Sequence, residues 1–191
     1  MAKPKANAKT KPKAPVTSGR TYQLKVTLSY VEPPVWRRVI VPGVLTLYGL
    51  HSVIQIAMGW EDDHLHEFRI KKERYGNDPD SVDESTVCVQ DVLAKQGSKA
   101  EYVYDFGDHW SHEILVEKTD QSELAPPICL AGQGACPPEN CGGPPGYADL
   151  LDILADPNDD EYEDRLDWVG GQFDPTKFDL AEVNKALKRI R

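Results

Sequence analysis

The stretch TYQLKVTLSY (Thr21–Tyr30) alternates without a fault. Tyr22, Leu24, Val26, Leu28 and Tyr30 fall on one side of an extended chain, and Gln23, Lys25, Thr27 and Ser29 on the other. Side chains of a strand point to opposite faces in turn, so this pattern predicts a half-buried strand. A strand with one apolar and one wet face belongs to an antiparallel sheet with a second layer packed on it. VWRRVIV (Val35–Val41) reads as a second strand after the EPP interruption, close enough to be an antiparallel neighbour, and Pro42-Gly43 ends it.

The covering layer is legible next. In TLYGLHSVIQIAMGW (Thr46–Trp60), Leu47, Leu50, Val53, Ile54, Ala57 and Met58 recur at helical spacing and make one apolar face. Thr46 is a suitable N-cap, and Gly59 a suitable stop. DHLHEFRI (Asp63–Ile70) returns to alternation, with His64, His66, Phe68 and Ile70 on one face. Lys71–Thr86 is charged and turn-rich and reads as a surface loop; Val87–Lys95 reads as a short helix. Glu101–Phe106 and Trp110–Lys118 read as a hairpin joined through Gly107-Asp108. Ala125–Gly146 holds six prolines and reads as irregular. Tyr147–Asp156, Asp159–Val169 and Asp179–Ile190 read as helices, the last opened by Asp179 and Glu182 in capping-box spacing. The fold class expected is therefore α+β: a single domain, a mostly antiparallel sheet with helices packed on it, and a helical C-terminal part. A chain of 191 residues suits one such domain.

Charge is unevenly placed. Residues 1–20 hold five lysines and Arg20 with no acid, so this tail carries +6 and residues 21–191 carry −15, giving −9 in all. The Lys/Ala/Pro tail has little apolar surface to bury and is expected to be disordered. The acidic body should repel nucleic acid, leaving nucleic-acid contact to the basic tail alone. No stretch is long and apolar enough for a membrane span, and the N-terminus lacks a secretory apolar region, so a cytoplasmic protein is expected.

Chemistry-bearing residues concentrate in YVYDFGDHWSHEILVEK (Tyr102–Lys118) and HLH (His64–His66). In the hairpin reading Tyr102, Tyr104, Phe106 and Trp110 are core, Asp105 is solvated, and His109 is exposed at the tip. Asp108 bonds the turn's backbone amides. His112 falls on an apolar face, either as a packed histidine or as a ligand. His64, His66, His112 and Asp108 together would supply the N/O set of a catalytic zinc or non-haem iron site. Cys129, Cys136 and Cys141 offer a second candidate, structural zinc, with Cys88 or a histidine as fourth ligand; free thiols are the alternative. The acidic run Asp156–Asp167 is not a calcium loop, because Glu161 stands where glycine is needed. No phosphate loop or nucleophile elbow is present.

Four stretches together, YQLKVTLSYVEPPVWRRVIVP, LHSVIQIAMGWEDDHLHEF, YVYDFGDHWSHEI and CPPENCGGPPGYADLLDIL, resemble the plasmid pRiA4b Orf-3-like family. The resemblance runs from about Tyr22 to the C-terminal helix. It implies a single α+β domain of bacterial and archaeal proteins with plasmid or insertion-element associations, and it supplies no reaction. Among the residues in these stretches, His64, His66, Asp105, Asp108, His112 and Glu139 are the polar ones that folding does not obviously require. Two functions are expected from this set. One is a binding or interaction module of a mobile-element-associated protein, with an unknown protein partner. The other is a metal-dependent enzyme, a hydrolase among the options, with Glu139 as base.

Overall fold

A computed structural model describes residues 18–190 of the chain. Most of the basic tail expected for residues 1–20 lies outside the described residues, although Ser18–Arg20 already belong to the first strand.

Eight strands form one sheet. They are β1 (Ser18–Leu28), β2 (Trp36–Pro42), β3 (His66–Ile70), β4 (Glu73–Gly76), β5 (Val82–Asp83), β6 (Lys99–Tyr104), β7 (Trp110–Glu123) and β8 (Ile128–Gln133). Their order across the sheet is β5-β4-β3-β6-β7-β1-β2-β8. Every pairing is antiparallel except β4 with β5. The helices are α1 (Leu47–Met58), α2 (Val89–Val92), α3 (Gly143–Ala155), α4 (Tyr162–Trp168) and α5 (Leu180–Leu187). This is the α+β domain read from the alternation.

The two faces of the sheet are chemically distinct. Tyr22, Leu24, Val26, Val39, Val41, Phe68, Tyr102, Tyr104, Trp110, Ile114 and Val116 are buried on the inner face. The apolar stripe of α1 packs on them through Leu47, Leu50, Val53, Ile54, Ala57 and Met58. The outer face carries cross-strand polar pairs, as where Arg38 Nη2 donates to Glu117 Oε1 at 2.8 Å. Tyr30, expected on the apolar face, is 85% exposed, because β1 ends at Leu28 and Tyr30 turns out with φ 63°.

Arg37 is the charged exception on the inner face. Its guanidinium is buried with no carboxylate partner among the described residues and is satisfied by backbone carbonyls instead: Ala57 at 2.7 Å, Trp36 at 2.9 Å, Gln133 at 2.8 Å and Gly134 at 2.9 Å. Ala57 lies in the last turn of α1, where a cation meets the negative end of the helix dipole. Phe178 lies 4.4 Å from the guanidinium, so one side chain ties β2, α1, the end of β8 and the C-terminal segment together.

Three strands escaped the sequence reading. β4 and β5 lie in the charged loop, and β8 lies within Ala125–Gly146. β8 is an edge strand whose free backbone is covered: the Asn184 amide from α5 accepts from Cys129 N–H at 2.8 Å and donates to Cys129 C=O at 2.9 Å. α3 also begins four residues earlier than expected, at Gly143, with prolines in its first turn, where no N–H is needed.

Candidate functional site

The site is built at one end of α1. Thr46 caps the helix by accepting from Gly49 N–H at 3.2 Å. His51 then falls on the buried face beside Leu50 and Ile54. Both of its nitrogens are engaged, Nδ1 with the Tyr102 hydroxyl at 2.8 Å and Nε2 with Asp62 Oδ1 at 2.9 Å. Gln55, one turn on, donates its amide to the same Tyr102 oxygen at 2.9 Å and accepts the Asp62 N–H at 3.2 Å. With its oxygen already accepting from Gln55, Tyr102 donates its own proton to His51 Nδ1. His51 therefore carries its proton on Nε2 and donates to Asp62. Burial lowers the His51 pKa, and His66 lowers it further, while Asp62 and Glu84 pull it back up. Burial also raises the Tyr102 pKa well above that of a free phenol, so the relay starts from a neutral hydroxyl.

His66, the first residue of β3, lies face to face on His51, with ring centroids 3.5 Å apart and planes 2° from parallel. Its Nε2 is 3.0 Å from both oxygens of Glu84, a buried carboxylate at the start of a 3-10 turn. Donor atoms of His51, Asp62 and His66 lie within 4.8 Å of one another. Parallel rings hold their lone pairs in two separate planes 3.5 Å apart, so one ion cannot lie in both until a ring turns. As they stand, the two imidazoles form a hydrogen-bonded wall.

That wall lines a cavity of about 370 Å³. Asp62, Asp78, Glu84, His51, His64, His66 and Asn77 supply its polar surface, and among the described residues no lysine or arginine lines it. Tyr48, Leu65 and Phe106 form an apolar rim and are 54%, 68% and 46% exposed. Phe106, expected in the core with Tyr104, leaves the sheet because β6 ends at Tyr104.

Beside the cavity, a second group comes together. His64 precedes β3 rather than sitting within it, so it does not share a strand face with His66. Its Nε2 stands 3.7 Å from Asp105 Oδ2 and 3.8 Å from Glu139 Oε2. Asp105 is not solvated as expected. It is 7% exposed with φ 56°, and its Oδ1 accepts from Gly107 N–H at 2.9 Å. Glu139 Oε1 accepts from the Tyr104 hydroxyl at 2.9 Å and from Glu61 N–H at 3.1 Å. The carboxylate comes close to α1 because Trp60 Nε1 donates to Pro137 C=O at 3.0 Å and anchors its loop.

The other sequence candidates lie elsewhere. Tyr102–Lys118 forms the expected hairpin, with Tyr104 opposite Trp110. Asp108 does not cap its turn, a role that falls to Asp105; its Oδ2 instead accepts from Gly142 N–H at 3.1 Å and pins the start of α3. His112 is fully buried and, among the described residues, joins no donor group with His64 and His66. Its Nδ1 donates toward the carbonyls of Trp110 at 3.0 Å and Tyr102 at 3.2 Å, and Trp60 meets its ring edge-on. Burial pushes its pKa down to about 4, which keeps it neutral. Cys129, Cys136 and Cys141 do not enter any group of three or more His, Cys, Asp or Glu donors within 4.8 Å among the described residues.

Sequence reading missed His51, Asp62 and Glu84. His51 carried a signal, an ionisable residue inside the apolar stripe of a helix. Asp62 and Glu84 sit in polar segments where only the tertiary fold sets them apart from their neighbours.

Comparison with known proteins places the chain in a family. The family model described as plasmid pRiA4b ORF-3-like protein matches residues 20–182. Uncharacterized protein y4hQ of Sinorhizobium fredii (strain NBRC 101917 / NGR234) is 39% identical over 175 residues, covering 86% of this chain and 89% of that protein. The crystal structure of MM3350 from Methanosarcina mazei Go1, a protein of unknown function, aligns with a TM-score of 0.79 at 37% identity, covering 85% of this chain and 97% of that one. No activity is established for these relatives. The chain belongs to the plasmid pRiA4b ORF-3-like family.

Proposed function

We propose that the chain is a binding module that holds a small organic cation, an ammonium or guanidinium group carrying an apolar substituent, in the cavity beside α1. The observation that carries this reading is the lining: three carboxylates, Asp62, Asp78 and Glu84, with no lysine or arginine among the described residues. An acidic concavity with low-dielectric walls concentrates cations. His51, its pKa lowered, adds no opposing charge. The volume of about 370 Å³ lies within the range of small-ligand pockets, and the rim of Tyr48 and Phe106 offers ring faces to a cation and its apolar part. The mobile-element setting belongs to the same proposal; its support is the plasmid in the family description, and the genes flanking the chain's own gene check it.

The test is a charge comparison. Benzylammonium and benzyl alcohol have nearly the same shape and differ in charge. The expected result is that benzylammonium raises the unfolding temperature and the alcohol does not. The shift should shrink in Asp62→Asn, which keeps the oxygen that His51 bonds, and should fall with added salt. Equal effects from the two compounds would show that the carboxylates do not select the ligand.

A further inference from the structure

We propose that His64, Asp105 and Glu139 form a divalent transition-metal site beside the cavity, which His64 alone of the three lines, separate from the His51–His66 stack. Its first support is unmet bonding. His64 Nε2 and Glu139 Oε2 are buried atoms with no hydrogen-bond partner among the described residues. Buried polar atoms are rarely left so, and two facing each other call for a shared partner.

The spacing says what kind of partner fits. Separations of 3.7 and 3.8 Å from His64 Nε2 to the two carboxylates are too long for direct hydrogen bonds. They are also too short for a bridging water, which holds its two partners roughly 4.5 Å or more apart. Two donors bound to one ion at about 2.1 Å stand roughly 3.4 Å apart at a tetrahedral angle and about 4.2 Å apart at most. The two gaps from His64 fall inside that interval. The three donor atoms are not all within 4.8 Å of one another, so binding requires the free oxygens of Asp105 and Glu139 to swing inward about their bonded oxygens.

The surroundings are those of a ligand set. Each carboxylate has its other oxygen fixed from behind, Asp105 by Gly107 N–H and Glu139 by the Tyr104 hydroxyl and Glu61 N–H. Such bonds orient metal ligands and leave one oxygen of each carboxylate free to bind. Asp105 holds a left-handed φ of 56°, a strained conformation that its turn maintains. One imidazole and two carboxylates suit zinc or manganese, and three protein ligands leave positions open toward the cavity that His64 lines.

The experiment titrates tag-free protein with ZnCl₂ by isothermal calorimetry and follows histidine side-chain resonances by NMR. The expected result is one Zn²⁺ per chain, shifting His64 while the His51 and His66 resonances stay in place. That NMR result on the unmodified chain needs no variant to fold. His64→Ala and Glu139→Gln should each weaken binding by about 10-fold or more, and Glu139→Gln keeps the oxygen that Tyr104 bonds. His66→Ala should bind as the unmodified chain does. No zinc uptake would overturn the proposal. Zinc that shifts His51 and His66, or that His66→Ala abolishes, would overturn it by assigning the ion to the stacked pair.

Discussion

Acid should unfold this protein in a pH window set by its buried histidines, and His112 fixes the size of the effect. Its pKa falls from 6.5 to about 4 because burial removes the imidazolium from water; its backbone bonds oppose that shift and Arg37 adds to it. The neutral form is favoured in the fold. Above pH 6.5 folded and unfolded chains are both neutral at this position, and nothing is lost. As pH falls below 6.5 the unfolded chain takes up a proton that the folded chain refuses, so stability declines until about pH 4, where the folded state protonates too. At pH 4.5 this one group costs about 2.5 kcal/mol relative to pH 7.5. His51 adds to the loss with the same sign. Carboxylates with lowered pKa, Glu117 among them, begin to lose their contribution only near pH 4.5, at the bottom of this window. Urea unfolding at half-unit steps from pH 7.5 to 4.5 measures the curve. His112→Phe keeps a ring and removes the proton site, so it should be less stable at pH 7.5 yet flatter by about 2.5 kcal/mol across the window. An unmodified chain with constant stability over this range, or a His112→Phe curve parallel to it, would refute the reasoning.

Trp110 has no exposed surface, and Trp110→Ala should lower unfolding free energy by about 3–5 kcal/mol in the same urea assay. Arg37→Leu fills the space but strands the carbonyls of Ala57, Gln133 and Gly134, so a loss of about 3–5 kcal/mol is expected; Arg37→Lys should restore only part of it, since an ammonium cannot make the fork. Gly143 has φ +69°, and a Cβ there would lie 2.5 Å from the Asp108 carbonyl oxygen, so Gly143→Ala should cost at least about 2 kcal/mol and shift the Gly107 amide resonance across the displaced turn.

The readable parts of this fold are those where a local period meets a single face. Thr21–Leu28 and Leu47–Met58 declare themselves because one side of each is continuously apolar, and together they imply the sheet and its cover. β4 and β5 do not, because they are short and mostly exposed, and their sequence is that of a loop. β8 hides among prolines and glycines because its pairing with β2 and the Asn184 amide stabilise it, rather than any alternation of its own. The site divides in the same way. His64, Asp105 and Glu139 stood out as polar residues that folding does not need, and all three converge. His112 is equally conspicuous, yet its Nδ1 is taken by the carbonyls of Tyr102 and Trp110, and its unpartnered Nε2 faces no carboxylate among the described residues within 4 Å. Asp62 and Glu84 acquire their meaning only when the segment after α1 and the loop after β5 fold against His51 and His66.

The central claim is that the cavity beside α1 selects positive charge, and the most direct measurement is an NMR titration of labelled protein with benzylammonium against benzyl alcohol. The account predicts that benzylammonium shifts the side-chain resonances of His51 and His66 and the amides of Asp62, Leu65 and Phe106, saturably and with loss of affinity in salt. It predicts that the alcohol leaves them in place at the same concentration. Shifts confined to other parts of the sheet, or equal shifts from both compounds, would contradict it.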